Sequence, residues 1–212
     1  MKIRKKEIGY FVLIFVCAAI LTGCFGRAKT SFVMDQYTLD YTSPKAGPDQ
    51  RAIEELITVE RFAVASQFNS TSMMIRTGQY RFDTYDYSRW HVNPADMITG
   101  FVLRDITRSG MFKGTYSYYD TGLSRYTLEG YIDEFGETTD GKALVSIRIT
   151  LLDTSRKNPI EQIVFQKQYV HSAPIGDRSA NGLAAGLSQA TKDLSARLIA
   201  DIGLALNATA AK

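Results

Sequence analysis

Histidine and cysteine are nearly absent from this chain: 212 residues carry two of each, His91 and His171, Cys17 and Cys24. A zinc or transition-metal site needs three or four imidazole, thiolate or carboxylate ligands at matched spacing. No such spacing exists here, so no metal and no cofactor is expected. A Gly-x-Ser-x-Gly elbow that would present a nucleophilic serine is also missing. A Ser–His–acid triad can assemble from distant positions, but nothing in the sequence points to one. Asp83 and Asp86, just ahead of the single tryptophan Trp90, could supply two carboxylates for glycoside chemistry; aspartates on an exposed turn account for them more simply. The segment from Gly136 to Lys142 matches the Gly-x-x-x-x-Gly-Lys part of a phosphate-binding loop. That motif needs a helix after it and a Ser/Thr hydroxyl for magnesium. Ala143 and a β-patterned run follow instead, so the segment reads as a hairpin loop.

The N-terminus is the most specific part of the sequence. Lys2, Arg4, Lys5 and Lys6 precede an apolar run over residues 10–21, then Thr22, Gly23 and Cys24. That layout is an export signal, too short and wrongly flanked to persist as a membrane span. Leu21-Thr22-Gly23-Cys24 looks like a lipobox, in which the cysteine thiol receives a diacylglyceryl group and the chain is cut just before it. Each buried acyl CH₂ contributes roughly 0.8 kcal/mol, so one chain holds a protein marginally and two or three hold it durably. Residues 1–23 are therefore read as a lipoprotein signal peptide, with lipid attached at Cys24. Phe25, rather than aspartate, follows, which directs the expectation to the periplasmic face of an outer membrane.

Removing the signal changes the charge balance. It holds four basic residues and one acidic residue of the chain's 25 and 22, which leaves 21 of each. A neutral mature domain lacks the basic footprint of a nucleic-acid binder, and no Lys/Arg cluster suggests attraction to anionic lipid. Cys17 leaves with the signal and Cys24 is consumed by lipid, so no internal disulfide is available although the compartment would permit one. The mature chain must hold itself together by burial, and its length suffices for one core.

Residues 24–36 read as a tether. Residues 37–41 alternate with period two, as a strand does, and Pro44 and Gly47-Pro48 end it. Strands are expected over 55–64, 72–76 and 79–85, the last two split at Gly78. Asn93 then makes a good N-cap, Pro94 suits the first helical position and Asp96 complements the helix dipole. Ile98, Phe101, Val102 and Ile106 form one apolar face, and Gly110 stops the helix. Three β-patterned runs follow, 125–135, 142–153 and 160–171, spaced as an antiparallel meander. A helix over 179–206 closes the domain, with Leu183, Leu187, Ala190, Leu194, Leu198, Ile202 and Leu206 along one face; residues 207–212 are a tail. The expectation is a single α+β domain over 37–206, a mostly antiparallel mixed sheet with two main helices packed on it.

Several of these residues together carry a resemblance. Tyr37-x-Leu39, Arg89-Trp90 followed by Pro94-Ala95-Asp96-Met97-Ile98, Tyr126-x-Leu128-x-Gly130, Phe135 and the closing amphipathic helix, in that order, resemble the ABC-type transport auxiliary lipoprotein family. The resemblance implies an outer-membrane lipoprotein, not an enzyme, working with a mammalian-cell-entry-domain protein and an ABC transporter or related permease. It also implies that the cargo is lipid or another apolar solute, and that the chain assembles as a homo-oligomer.

Tyrosine buries area while keeping a polar tip, so Tyr116, Tyr118, Tyr119, Tyr126 and Tyr131 are each either interface residues or cover for the sheet. Tyr116, Tyr118 and Tyr119 are taken as interaction candidates, with Trp90, for which burial beside the first helix is the competing role. Two further readings stay open beside the transport accessory: an envelope lipoprotein that scaffolds or activates a peptidoglycan or secretion machine, and a lipid-anchored hydrolase.

Overall fold

The computed structural model describes residues 33–45 and 52–210; Cys24, the signal and most of the tether lie outside them. A strand of twelve residues, β7 (Tyr126–Glu137), organises everything else. Along one edge it pairs antiparallel with β8 (Lys142–Asp153), which pairs antiparallel with β9 (Ile163–Pro174). This is the meander expected from the spacing. Inward positions of β8 are an unbroken apolar series, Ala143, Val145, Ile147, Ile149 and Leu151, all buried. Period-two alternation puts them on one face.

The other edge of β7 is shared by three short strands laid end to end, all parallel to it: β2 (Ile53–Val59), β3 (Ala63–Val64) and β4 (Ser72–Gly78). Beyond β2 lies β6 (Phe112–Ser117), parallel; beyond β4 lies β5 (Arg81–Trp90), antiparallel, and then β1 (Asp35–Tyr37), parallel to β5. One curled mixed sheet results, in a single α+β domain.

Two helices cover one face of this sheet. The first, α1 (Pro94–Ser109), begins where the sequence says: the Asn93 side chain accepts from the Ala95 N–H at 2.9 Å, and Gly110 ends it in the left-handed region at φ 65°. A one-turn α2 (Pro159–Gln162) precedes β9. The last, α3 (Ala180–Ala210), is capped by Ser179, whose Oγ accepts from the Gly182 N–H at 3.0 Å. Its stripe Leu183, Leu187, Ala190, Leu194, Leu198, Ile202 and Leu206 is buried as the spacing requires. Among the described residues no helix is long and apolar enough to cross a membrane.

Local differences from the sequence reading have local causes. The expected strand 55–64 breaks after Val59, because Phe62 turns into the core against Gly130 and its N–H is taken by Thr99 Oγ1 at 2.9 Å. The alternation over 37–41 is real, with Leu39 buried, but after Tyr37 the backbone leaves the sheet: the Asp40 N–H donates to Ser188 Oγ on α3 at 3.0 Å. Conversely the sheet starts at Asp35, taking in two residues of the expected tether, and α3 runs on to Ala210, through part of the expected tail. Residues 160–162 are helical rather than extended, because Asn158 caps a turn started by Pro159. Strand β6 was not expected at all.

Candidate interaction surface

The four interaction candidates other than the lipid site separate into buried and exposed groups. Trp90 ends β5 at 1 % exposure, its ring 5.3 Å from that of Phe135. It fills the core and offers no surface, because the sheet alternation turns it to the face opposite half-buried Arg89. Tyr116 is half-buried: the loop after β6 folds back so that Gly122 rests on its ring, closely enough that any side chain at 122 would collide with it.

Tyr118 and Tyr119 sit on that same loop. Their rings lie 4.1 Å apart at 38°, and Tyr119 is 80 % exposed. The loop is tied down at both ends. The Asp120 carboxylate accepts from the Ser117 N–H at 2.7 Å and from its hydroxyl at 2.8 Å, and these bonds hold its pKa below the usual carboxylate range. Ser124 Oγ lies 2.7 Å from Thr58 Oγ1, and Thr154 Oγ1 donates to the Ser124 carbonyl at 2.9 Å. Tyr119 is thus presented on an ordered platform, which lowers the entropy a contact would cost. The hydrogen bond with Tyr119, helped by partial burial, pushes the Tyr118 hydroxyl up to about 12. The remaining two tyrosines divide: Tyr126 is in the core, 5.9 Å from Phe112, and Tyr131 lies on the uncovered sheet face, with the Arg148 guanidinium 5.4 Å from its ring.

The platform adjoins the start of α1. Arg61, ion-paired with Asp96 in the first turn, feels Tyr118 and Tyr119 electrostatically. The same corner receives β1: the His91 N–H donates to the Tyr37 carbonyl at 2.7 Å, and His91 Nδ1 is 2.6 Å from Gln36 Oε1. Val92, the next residue, is exposed.

The polar groups elsewhere serve the fold. Arg125 spans both edges of β7, bonding Glu55 of β2 at 2.9 Å and buried Asp153 of β8 at 3.3 Å. Arg76 lies 4.4 Å above the Phe82 ring and donates from Nη2 to both carboxylate oxygens of Glu134 at 3.0 Å, and the three residues line a small cleft with Gly136. Asp105 was missed by the sequence reading. It is fully buried on α1, accepting from the Tyr41 hydroxyl at 2.8 Å and from Arg104 at 2.8 Å; burial and this carboxylate drive the Tyr41 hydroxyl upward. An acid between Val102 and Ile106, where the helical period calls for an apolar residue, was the available signal.

Asp83 and Asp86 are both exposed on β5, and the Asp83 carboxylate accepts from the Thr84 N–H at 2.8 Å. Gly136 belongs to β7, and Thr138 to Gly141 turn the chain into β8, so the phosphate-loop pattern is a hairpin. Among the described residues no group of three or more His, Cys, Asp or Glu is placed to hold a metal ion.

Comparison with known proteins bears on the whole domain. The model of the ABC-type transport auxiliary lipoprotein component family matches residues 37–199. Protein XCC0632 of Xanthomonas campestris has the same fold, with a TM-score of 0.72 at 16 % identity over 85 % of this chain and 100 % of its own. A second solved structure, of an uncharacterized protein, reaches 0.63 at 13 % identity over 80 % of this chain and 99 % of its own. No curated protein sequence matches the chain.

Proposed function

Since the chain belongs to the ABC-type transport auxiliary lipoprotein component family, we propose that it is a lipid-anchored accessory of an envelope transport system, contributing binding rather than catalysis. The observation that carries this reading is the family match, which spans the folded domain from β1 into the last turns of α3.

In this reading residues 1–23 are a signal peptide and residues 24–36 are the tether from the acylated Cys24, its last two residues entering β1. The anchor sits in the periplasmic leaflet of the outer membrane. The partners are a mammalian-cell-entry-domain protein and an ABC transporter or related permease moving lipid or another apolar solute, and the chain acts as a homo-oligomer. A neutral domain, with 21 residues of each charge after Gly23, suits contacts made by shape and aromatic anchors rather than by long-range charge. Exposed Tyr119, backed by Tyr118, is the contact element among the four aromatics; Tyr116 supports its loop and Trp90 fills the core.

Deleting the gene should sensitise cells to detergents and apolar toxins. Deleting the cognate mammalian-cell-entry-domain protein should give the same defect, and the double deletion should be no worse than either. Additive defects would place the two proteins on separate paths and refute the assignment. Cys24→Ala should abolish palmitate labelling and fail to restore resistance; full rescue by that soluble form would favour a freely diffusing activator.

A further inference from the structure

The curled sheet ends in open edges, and the edges differ in charge. Strand β9 runs for twelve residues and pairs with β8 alone. Helix α3 lies on its inward face, where Lys167 and the Tyr169 hydroxyl reach Asp201 at 2.6 and 3.0 Å. The other edge of β9 is thus without a strand partner among the described residues. At the opposite end of the sheet, β5 pairs with β4 on one side and gives only residues 88–90 to β1 on the other, so residues 81–86 form a second open edge. A third belongs to β6, which pairs with β2 alone. Such edges present backbone N–H and C=O groups that a further strand can take. Val170, in the middle of β9, is 59 % exposed.

We propose that the free edge of β9 pairs antiparallel with residues 81–86 of β5 in a second copy of this chain, so that one sheet continues from copy to copy. The proposal rests on the homo-oligomer reading and names its surface. Charge selects the two edges. Strand β9 carries Lys167 and His171 and no acid, and Asp201 beneath it is shared between Lys167 and Arg197, the latter at 3.2 Å. Over residues 81–86, β5 carries Asp83 and Asp86 against Arg81, all three exposed. The β6 edge offers only Lys113. A β9–β9 or β9–β6 contact would therefore set cations against cations, which disfavours the pairing. Direction agrees with charge. Two antiparallel steps separate β9 from β7, so they run the same way, whereas β5 runs opposite to β7 because it is antiparallel to β4. A second copy in the same orientation meets β9 with an antiparallel strand. The register that sets Thr84 opposite Val170 covers the exposed valine, brings Asp83 opposite His171 and leaves Asp86 within one residue of Lys167. A head-to-tail contact of this kind leaves one edge of each copy open to the next, so it repeats and the assembly exceeds a dimer.

With Cys24 acylated, the mature chain has no cysteine except one that is introduced, which permits a direct test. Acylated full-length copies carrying Val170→Cys and copies carrying Thr84→Cys are co-expressed, purified in detergent and treated with a short bis-maleimide. A cross-link should form where both variants are present, and neither variant alone should give one. Val170→Lys adds a charge to a side chain already in water. It should lower the mass measured by light scattering from that of an assembly larger than a dimer to that of one chain, with thermal melting unchanged. Wild-type protein that is monomeric would overturn the homo-oligomer reading and this interface together. An oligomer without the mixed cross-link, one that cross-links through position 170 alone, or one that Val170→Lys leaves intact would overturn the interface while keeping the oligomer.

Discussion

The two edges of β7 are built on different principles. On one side, β8 and β9 follow in sequence, pair antiparallel over their full lengths and bury their inward residues under α3. On the other, β2, β3 and β4 come from earlier in the chain, pair parallel over one to three residues each, and are separated by the break at Phe62 and by a turn at Ser66–Phe68. The first edge is held by continuous burial, the second by individual contacts at particular positions. Three substitutions test that division.

Leu194→Asp should have the largest effect. Leu194 is fully buried on α3 over the meander, and an unpaired carboxylate there costs several kcal/mol against a total stability of about 5–15 kcal/mol. The variant should show no cooperative thermal transition. Native-like melting would mean that the stripe of α3 is not what holds this edge.

Gly136→Ala addresses the other edge. A Cβ at 136 would stand 2.6 Å from the Met74 carbonyl oxygen, at the place where β4 touches β7. Backbone must shift, at a cost of about 1–3 kcal/mol. Amide exchange should accelerate in β4 and β5 while β8 and β9 keep their protection. Uniform acceleration throughout the sheet would show that the two edges are one cooperative unit.

Asp153→Asn tests the point where the edges are tied together. Burial raises the Asp153 pKa, but the bonds from Arg125 and Ser155 outweigh it and hold this carboxyl below the usual range. A depressed folded pKa contributes stability that is complete above the unfolded value, about 3.9, and is lost as the pH falls through the folded one. The variant should be less stable by about 1–3 kcal/mol at pH 7, measured by denaturant melts. That gap should narrow as the pH drops below about 4, and a constant gap would show that the carboxylate charge is not what Arg125 holds.

The division also explains what could be read from the sequence. The meander and α3 were legible because their pairing partners are neighbours in the chain and their apolar spacing is uninterrupted. Helix α1 was legible to the residue, since Asn93, Pro94 and Gly110 are local signals. Strand β6 was missed: Gly114 breaks its pattern at the point where it lies against Leu56 on β2, a contact between distant segments. The alternation over 37–41 reported correctly which side chains are buried and said nothing about whether the backbone has a strand partner. Among the candidate contacts, Trp90 stood just before the Asn93 cap, where burial beside the first helix was already the competing role, whereas no element was expected around Tyr119. The end of β5 turns Trp90 inward against Phe135, and the 118–124 loop covers Tyr116 while presenting Tyr119.

The position of β7 also sets a timetable. Ile57 waits for Tyr126 and Ile75 for Glu137, so the first half of the domain reaches the outside of a ribosome or a translocation pore before its pairing partner exists. Long-range parallel pairing must close large loops before it is rewarded, and α3, the last segment made, completes the burial. The β4–β5 hairpin and α1 can form as the chain is produced, but the sheet cannot close from the N-terminus: β2, β3 and β4 are joined only when β7 has emerged.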